Sequence, residues 1–267
     1  MIGFPGEMGR EAPLGGEETA QNAMPAVDLV MPAHNEGRTI GLTIREFYDA
    51  ASCEFGIPLR FVVSEDGSTD DTCDVVRALA DDLPVLLLSH GERKGYSRAV
   101  IDGLMAATAD VVCFVDSDGQ CDPSDLPSLL AELQGRDLVV GYRHPRRDSG
   151  FRKLISGAFK ILYRILFPVR LRDPSCPYLL IRREALGAVL RGNPGILKQG
   201  FWWEFNARAA AAGLLVAEVA VLHRERAAGG TQVYKLGQIP LIAYGHVLGL
   251  FALRRELKAL RSGEAGT

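Results

Sequence analysis

Cysteine is scarce and unpatterned in this chain of 267 residues: Cys53, Cys73, Cys113, Cys121 and Cys176 are odd in number, and no two are spaced C-x-x-C. That gives no basis for a disulfide framework or a zinc site, and it fits a reducing cytoplasm. Histidine offers no ligand set either, because His34, His90, His144, His223 and His246 are widely separated. No apolar run reads as a membrane span. The best candidate, Leu236 to Leu253, is marginal in length, is broken by Gln238, Pro240 and His246, and carries Gly237, Gly245 and Gly249. The segment after Val30 lacks the glycine-rich, basic phosphate loop expected of a nucleotidyltransferase. The N-terminal residues do not read as a signal peptide, so none is expected. Residues 1–25, rich in Gly, Pro and Glu, read as a disordered tail. There is no internal repeat, and a net charge of −3 does not point to nucleic acid.

What is present is an ordinary globular composition, 47% hydrophobic and 24% charged. The charge is unevenly placed. Arg143, Arg146, Arg147, Arg152, Lys153, Lys160, Arg164, Arg170 and Arg172 face one acid, Asp148, so this window carries +8 and the rest of the chain −11. Such a patch suits an anionic ligand or an anionic membrane surface. Strand-like runs at Val27–Met31, Leu59–Ser64, Val85–Ser89, Asp110–Val115 and Asp137–Gly141 alternate with helical patterns at about 39–51, 71–80, 97–108 and 123–133. This order predicts an α/β fold, a mostly parallel sheet flanked by helices, over residues 26–235. Two amphipathic segments follow the core strands. In one, Phe151, Leu154, Ile155, Ala158, Phe159, Leu162, Tyr163, Ile165 and Leu166 keep helical spacing over basic polar positions. The other opens the C-terminal part, residues 236–267, and reads as an interfacial helix followed by a tail.

Ligands of wound parallel sheets gather beyond the carboxyl ends of strands. Three polar clusters stand at such ends: Pro32-Ala33-His34-Asn35-Glu36, Ser64-Glu65-Asp66-Gly67-Ser68-Thr69-Asp70 and Asp116-Ser117-Asp118-Gly119-Gln120. In the last, paired carboxylates projecting from a strand end suit Mg²⁺ or Mn²⁺, bound by one or two carboxylates together with substrate phosphates. An acid at a strand end can also hold a ribose or a base edge through charge-assisted hydrogen bonds.

These motifs, with Lys94-Gly95, Ala99 and Gly103 between them, resemble the donor half of family-2 glycosyltransferases of the GT-A fold. The likeness continues through Arg152 with Ser156, Asp173-Pro174-Ser175, Arg182-Arg183-Glu184-Ala185-Leu186 and Glu204, and ends around His223, Arg226, Gly229 and Thr231. Within that family it is most similar to the polyprenyl-phosphate sugar synthases. The resemblance implies that Pro32, His34, Glu36, Asp66 and Lys94 bind the nucleotide-sugar donor, with Asp116 beside it, and that Asp118 and Gln120 hold the metal. Arg152, Ser156 and Arg226 would hold the acceptor phosphate and the diphosphate. His34 stands where the family commonly has an aromatic, Thr231 replaces a serine, and Cys176-Pro177-Tyr178 replaces a small-residue and aromatic stretch. The implied reaction is inverting transfer of a sugar from a GDP- or UDP-sugar to a lipid phosphate, by an enzyme attached peripherally to the cytoplasmic membrane. Three alternatives stay open: a hydroxyl acceptor with Glu204 as base, a nucleotidyltransferase, and a non-catalytic nucleotide-sugar binding protein. Trp202 and Trp203 fit an acceptor wall and a core equally well.

Overall fold

The structure is a computed structural model. It describes residues 24–144, 150–197, 200–225 and 239–263, and within these only the backbone at 150–156, 158 and 239–243. The expected tail over residues 1–25 therefore falls almost wholly outside the described residues, as do Arg226, Gly229 and Thr231 and the side chains of Arg152 and Ser156.

Seven strands form one sheet: β1 (Val27–Ala33), β2 (Leu59–Asp66), β3 (Val85–His90), β4 (Val111–Phe114), β5 (Leu138–Arg143), β6 (Leu179–Arg182) and β7 (Val216–Val221). Their order is β3-β2-β1-β4-β6-β5-β7. All neighbours run parallel except β6, which lies antiparallel between β4 and β5. The first four strands bear apolar side chains on both faces, the pattern of a sheet covered twice. Val30, Val62, Val112 and Phe114 face one core, and Leu29, Met31, Phe61 and Cys113 face the other.

The second core is closed by α1 (Ile40–Tyr48), α2 (Thr72–Ala80) and α4 (Leu126–Glu132). A π-helical turn, Asp49–Glu54, extends α1. The first core is closed by α3 (Tyr96–Ala106), α5 (Gly150–Leu166), α6 (Arg183–Val189), α7 (Phe201–Ala211) and α8 (Ile239–Ser262). Gly103 is what lets α3 sit down on the sheet: a Cβ there would lie 2.6 Å from Val30 Cγ1.

The C-terminal helix differs from the expected segment. It runs on to Ser262, and Leu250, Leu253 and Leu257 on its inner face are buried in the core. Its apolar spacing thus serves packing on one side, while Tyr244, Leu248 and Phe251 stay exposed on the other.

Candidate active site

β2, β1 and β4 are neighbours, so the three polar clusters meet along one edge of the sheet. Their loops are stitched together. The Ser117 hydroxyl donates to the Pro32 carbonyl at 2.9 Å. The Asn35 amide N–H donates to Ser68 Oγ at 3.0 Å, and the Thr69 N–H to Asn35 Oδ1 at 2.8 Å. The Glu36 N–H donates to Thr72 Oγ1 at 2.9 Å, which ties the start of α1 to that of α2. His34 Nδ1 is 2.9 Å from the Asp66 carbonyl; a carbonyl only accepts, so this nitrogen carries the proton. Gly67 is required in the turn after Asp66. Its φ is +65°, and a Cβ there would lie 2.6 Å from the Arg93 nitrogen.

The Asp66 carboxylate is buried and receives the backbone N–H groups of Lys94, at 2.6 Å, and Gly95, at 3.0 and 2.9 Å. In this conformation it holds the loop that opens α3. The Lys94 side chain is exposed, its ammonium 3.1 Å from His90 Nδ1.

Beyond β4, Asp116, Asp118 and Gln120 line a cavity of about 360 Å³. Its other walls come from Arg143 at the end of β5, from Ser175 to Tyr178 before β6, from Trp202 on α7, and from Val221 to His223 at the end of β7. Pro32, His34, Glu36 and Asp66, at the ends of β1 and β2, and Lys94, in the loop after β3, stand outside this lining. The Gln120 N–H donates to Asp118 Oδ1 at 3.1 Å. The Gln120 amide nitrogen lies 3.4 Å from His223 Nε2 and donates to the Arg224 carbonyl at 3.2 Å. Arg224 in turn pairs with Asp122 and Glu46, which fixes the end of β7 against the loop after β4.

In the same cavity lining, the Arg143 guanidinium grips Asp173 through two parallel bonds of 2.7 and 3.0 Å and donates to Ser175 Oγ at 2.7 Å. Such a fork is held in one orientation. Burial pushes the Cys176 thiol up to about 12, and burial with the neighbouring Cys176 raises Cys121 as well. These thiols stay protonated at neutral pH, so the site has no thiolate. Tyr96, 40% exposed as a whole, donates from its hydroxyl to Asp116 Oδ1 at 2.8 Å, and enclosure of that hydroxyl together with the Asp116 charge raises its phenol.

Glu204 is placed differently from the expectation. It is 1% exposed and outside the cavity lining. It accepts from the Gly195 and Leu197 N–H groups at 2.9 and 2.7 Å and from Arg208 Nε at 2.8 Å. A carboxylate so enclosed braces the loop before α7. Trp202 lines the cavity and packs on Phe114 and Phe205, whereas Trp203 packs on Phe159 and Tyr163. Tyr96, Arg143 and His223 join the site without having been singled out for it in the sequence. The signal for Arg143 was its place at a strand end.

Comparison with known proteins agrees with this geometry. Residues 28–190 match the family model described as Glycosyl transferase family 2. An uncharacterised glycosyltransferase of Mycobacterium tuberculosis is 34% identical over 214 residues, 78% of this chain and 89% of its own. An undecaprenyl-phosphate 4-deoxy-4-formamido-L-arabinose transferase of Pseudomonas fluorescens is 29% identical over 61% of this chain. A dolichol-phosphate mannosyltransferase of Pyrococcus furiosus is likewise 29% identical over 61% of this chain. The match spans about half the length of these last two relatives, 49% and 48%. Among solved structures, glucosyl-3-phosphoglycerate synthase from M. tuberculosis superposes with a TM-score of 0.61 at 24% identity, over 88% of this chain and 82% of its own. This likeness shows a shared fold, the GT-A fold. With a family match over more than half its length, this chain belongs to glycosyl transferase family 2.

Proposed function

We propose that this glycosyltransferase moves a sugar from a nucleoside-diphosphate sugar to a polyprenyl phosphate, with inversion, at a membrane surface. The observation that carries the reading is that one cavity is lined both by the carboxylates of Asp116 and Asp118 and by the clamped Arg143 guanidinium. Two of the relatives above are named for transfer to a polyprenyl or dolichol phosphate.

The donor set suits a hard divalent cation, since carboxylate and amide oxygens border the cavity and the thiols beside it are held protonated. Among the described residues, no three His, Cys, Asp or Glu side chains form a ready-made cage. Mg²⁺ or Mn²⁺ bound with donor phosphates needs none. Asp118 and Gln120, with His223 beside them, would hold the cation, whose charge offsets the negative charge developing on the departing diphosphate.

The rest falls to the chain itself. The loops of β1 and β2, with His34, Glu36, Asp66 and Lys94, take the nucleotide. Arg143 faces the acceptor phosphate, with Arg152 and Ser156 of α5 and Arg226 assigned to the same anionic groups by resemblance. A phosphate oxygen bonds to the anomeric carbon as the bond from that carbon to the diphosphate breaks, and the electron pair leaves with the diphosphate. The attacking phosphate has a second pKa of about 6, so it is ionised near neutral pH and needs no base. That matters here, because Glu204 is engaged elsewhere. Positioning and charge supply the catalysis.

Incubation with labelled UDP-, GDP- and dTDP-sugars, undecaprenyl phosphate and Mn²⁺ tests the reading. Label should pass into the organic phase from one donor, and Arg143→Lys should raise KM for the lipid about tenfold, the scale of a charged hydrogen bond, with donor affinity unchanged. Label that moves only to water or to water-soluble phosphorylated acceptors would overturn it.

A further inference from the structure

Tyr96 stands where three parts of the site meet. It opens α3, directly after Gly95, whose N–H is tied to the Asp66 carboxylate at the end of β2. Its hydroxyl reaches the loop after β4, donating to Asp116 Oδ1 at 2.8 Å. The same oxygen accepts the indole N–H of Trp202, on α7, at 2.9 Å. Chemistry fixes the direction of this chain. An indole N–H can only donate, so the tyrosine oxygen must accept from it, and the one phenolic proton is left for the carboxylate. Trp202 is itself immobilised, with ring centroids of Phe114, Phe201 and Phe205 at 4.3, 5.1 and 5.4 Å.

We propose, on the reading of the cavity as a nucleotide-sugar site, that Tyr96 is a positioning residue that sets the Asp116 carboxylate before the donor arrives, and that Trp202 acts on the donor side through it. A carboxylate with one oxygen already bonded to a fixed hydroxyl loses less freedom when a ligand docks. Its orientation is inherited from the aromatic packing of α7. Because Trp202 also lines the cavity, the α7 part of the lining is joined to the donor's carboxylate by two hydrogen bonds.

Calorimetric titration of UDP and of GDP in the presence of Mn²⁺, into the full chain and its Tyr96→Phe, Trp202→Phe and double variants, tests this. Tyr96→Phe should raise the nucleotide Kd about tenfold, the lower end of what loss of an outer partner costs a site, while Tm moves little. Trp202→Phe should raise Kd about threefold, the scale of one neutral hydrogen bond, and should add almost nothing in the Tyr96→Phe background. A packing role alone would lower Tm and leave Kd unchanged. Wild-type Kd in Tyr96→Phe, or full additivity of the two changes, would overturn the proposal and leave the site reading intact. If Tyr96→Phe failed to fold, unchanged Kd in Trp202→Phe would overturn it instead. A wild-type chain that bound neither nucleotide would sink the site reading and this proposal together.

Discussion

Glu204 shows how a residue can match a catalytic pattern and still serve the fold. Its carboxylate and Arg208 form a pair that is 1% and 2% exposed. Arg208 also donates to the Arg191 and Asn193 carbonyls and to Glu256 of α8. Neutralising Glu204 leaves the buried Arg208 charge to Glu256 alone, at a cost of about 3 kcal/mol, the low end for breaking a buried pair. Glu204→Gln should therefore lower Tm, by roughly 6–12 °C for a domain of this size. At a temperature where the variant stays folded, transfer per folded molecule should remain near wild type. A variant with wild-type Tm and no turnover would restore Glu204 as the base. Arg143 makes the converse point. In the sequence it was one of nine cations in a basic window, and only the approach of Asp173 and Ser175, some thirty residues on, shows it clamped in a carboxylate fork beside the cavity.

Two helices carry the features on which the proposed membrane contact rests. α5 carries no acid in its first turn, and α8 packs beside it. Tyr163 and Leu166 of α5 and Leu250 and Leu253 of α8 are buried, so the opposite faces are left outside. There Ile161 and Ile165 are 63% and 70% exposed, and Tyr244, Leu248 and Phe251 each more than half. Several cations of the basic window are held against the protein rather than extended into solvent. Lys160 donates to the Arg172 carbonyl, Arg164 donates to that of Leu171, and Arg172 lies over the Tyr142 ring. Among the described residues, no helix is long and apolar enough to cross a membrane. Apolar insertion with modest electrostatic help is then the expected mode of attachment, at about 1 kcal/mol per basic residue near an anionic surface. The chain should float with anionic vesicles at low salt, weaken but persist at high salt, and be released by paired Ile161→Glu and Leu248→Glu. Absence from vesicles at low salt, or retention by the paired variant, would contradict a lipid-facing role for these helices.

Over the whole molecule, the first half of the fold could be read from the sequence because its signals are local. Apolar runs ending in Glu36, Asp66 and Asp118 clusters mark strand ends without any knowledge of the fold. The second half could not be read this way. β6 is four residues long and antiparallel, and β7 is half-exposed along most of its length, so neither carries a strong pattern. The contacts that complete the site join residues about a hundred positions apart, Trp202 with Tyr96 and His223 with Gln120, and no sequence window contains both partners. The central claim is that the strand-end acids form a cation-dependent nucleotide-sugar site. The most direct test is the Tm of the full chain with UDP-, GDP- and dTDP-sugars, in Mn²⁺ or Mg²⁺ and again in EDTA, for wild type and Asp118→Asn. At a hundred times Kd, a ligand adds about 2.7 kcal/mol to stability. One donor should therefore raise the wild-type Tm by several degrees with the cation, and by nothing in EDTA or in Asp118→Asn. A shift that persists in EDTA and in Asp118→Asn, or no shift with any donor, would contradict the account.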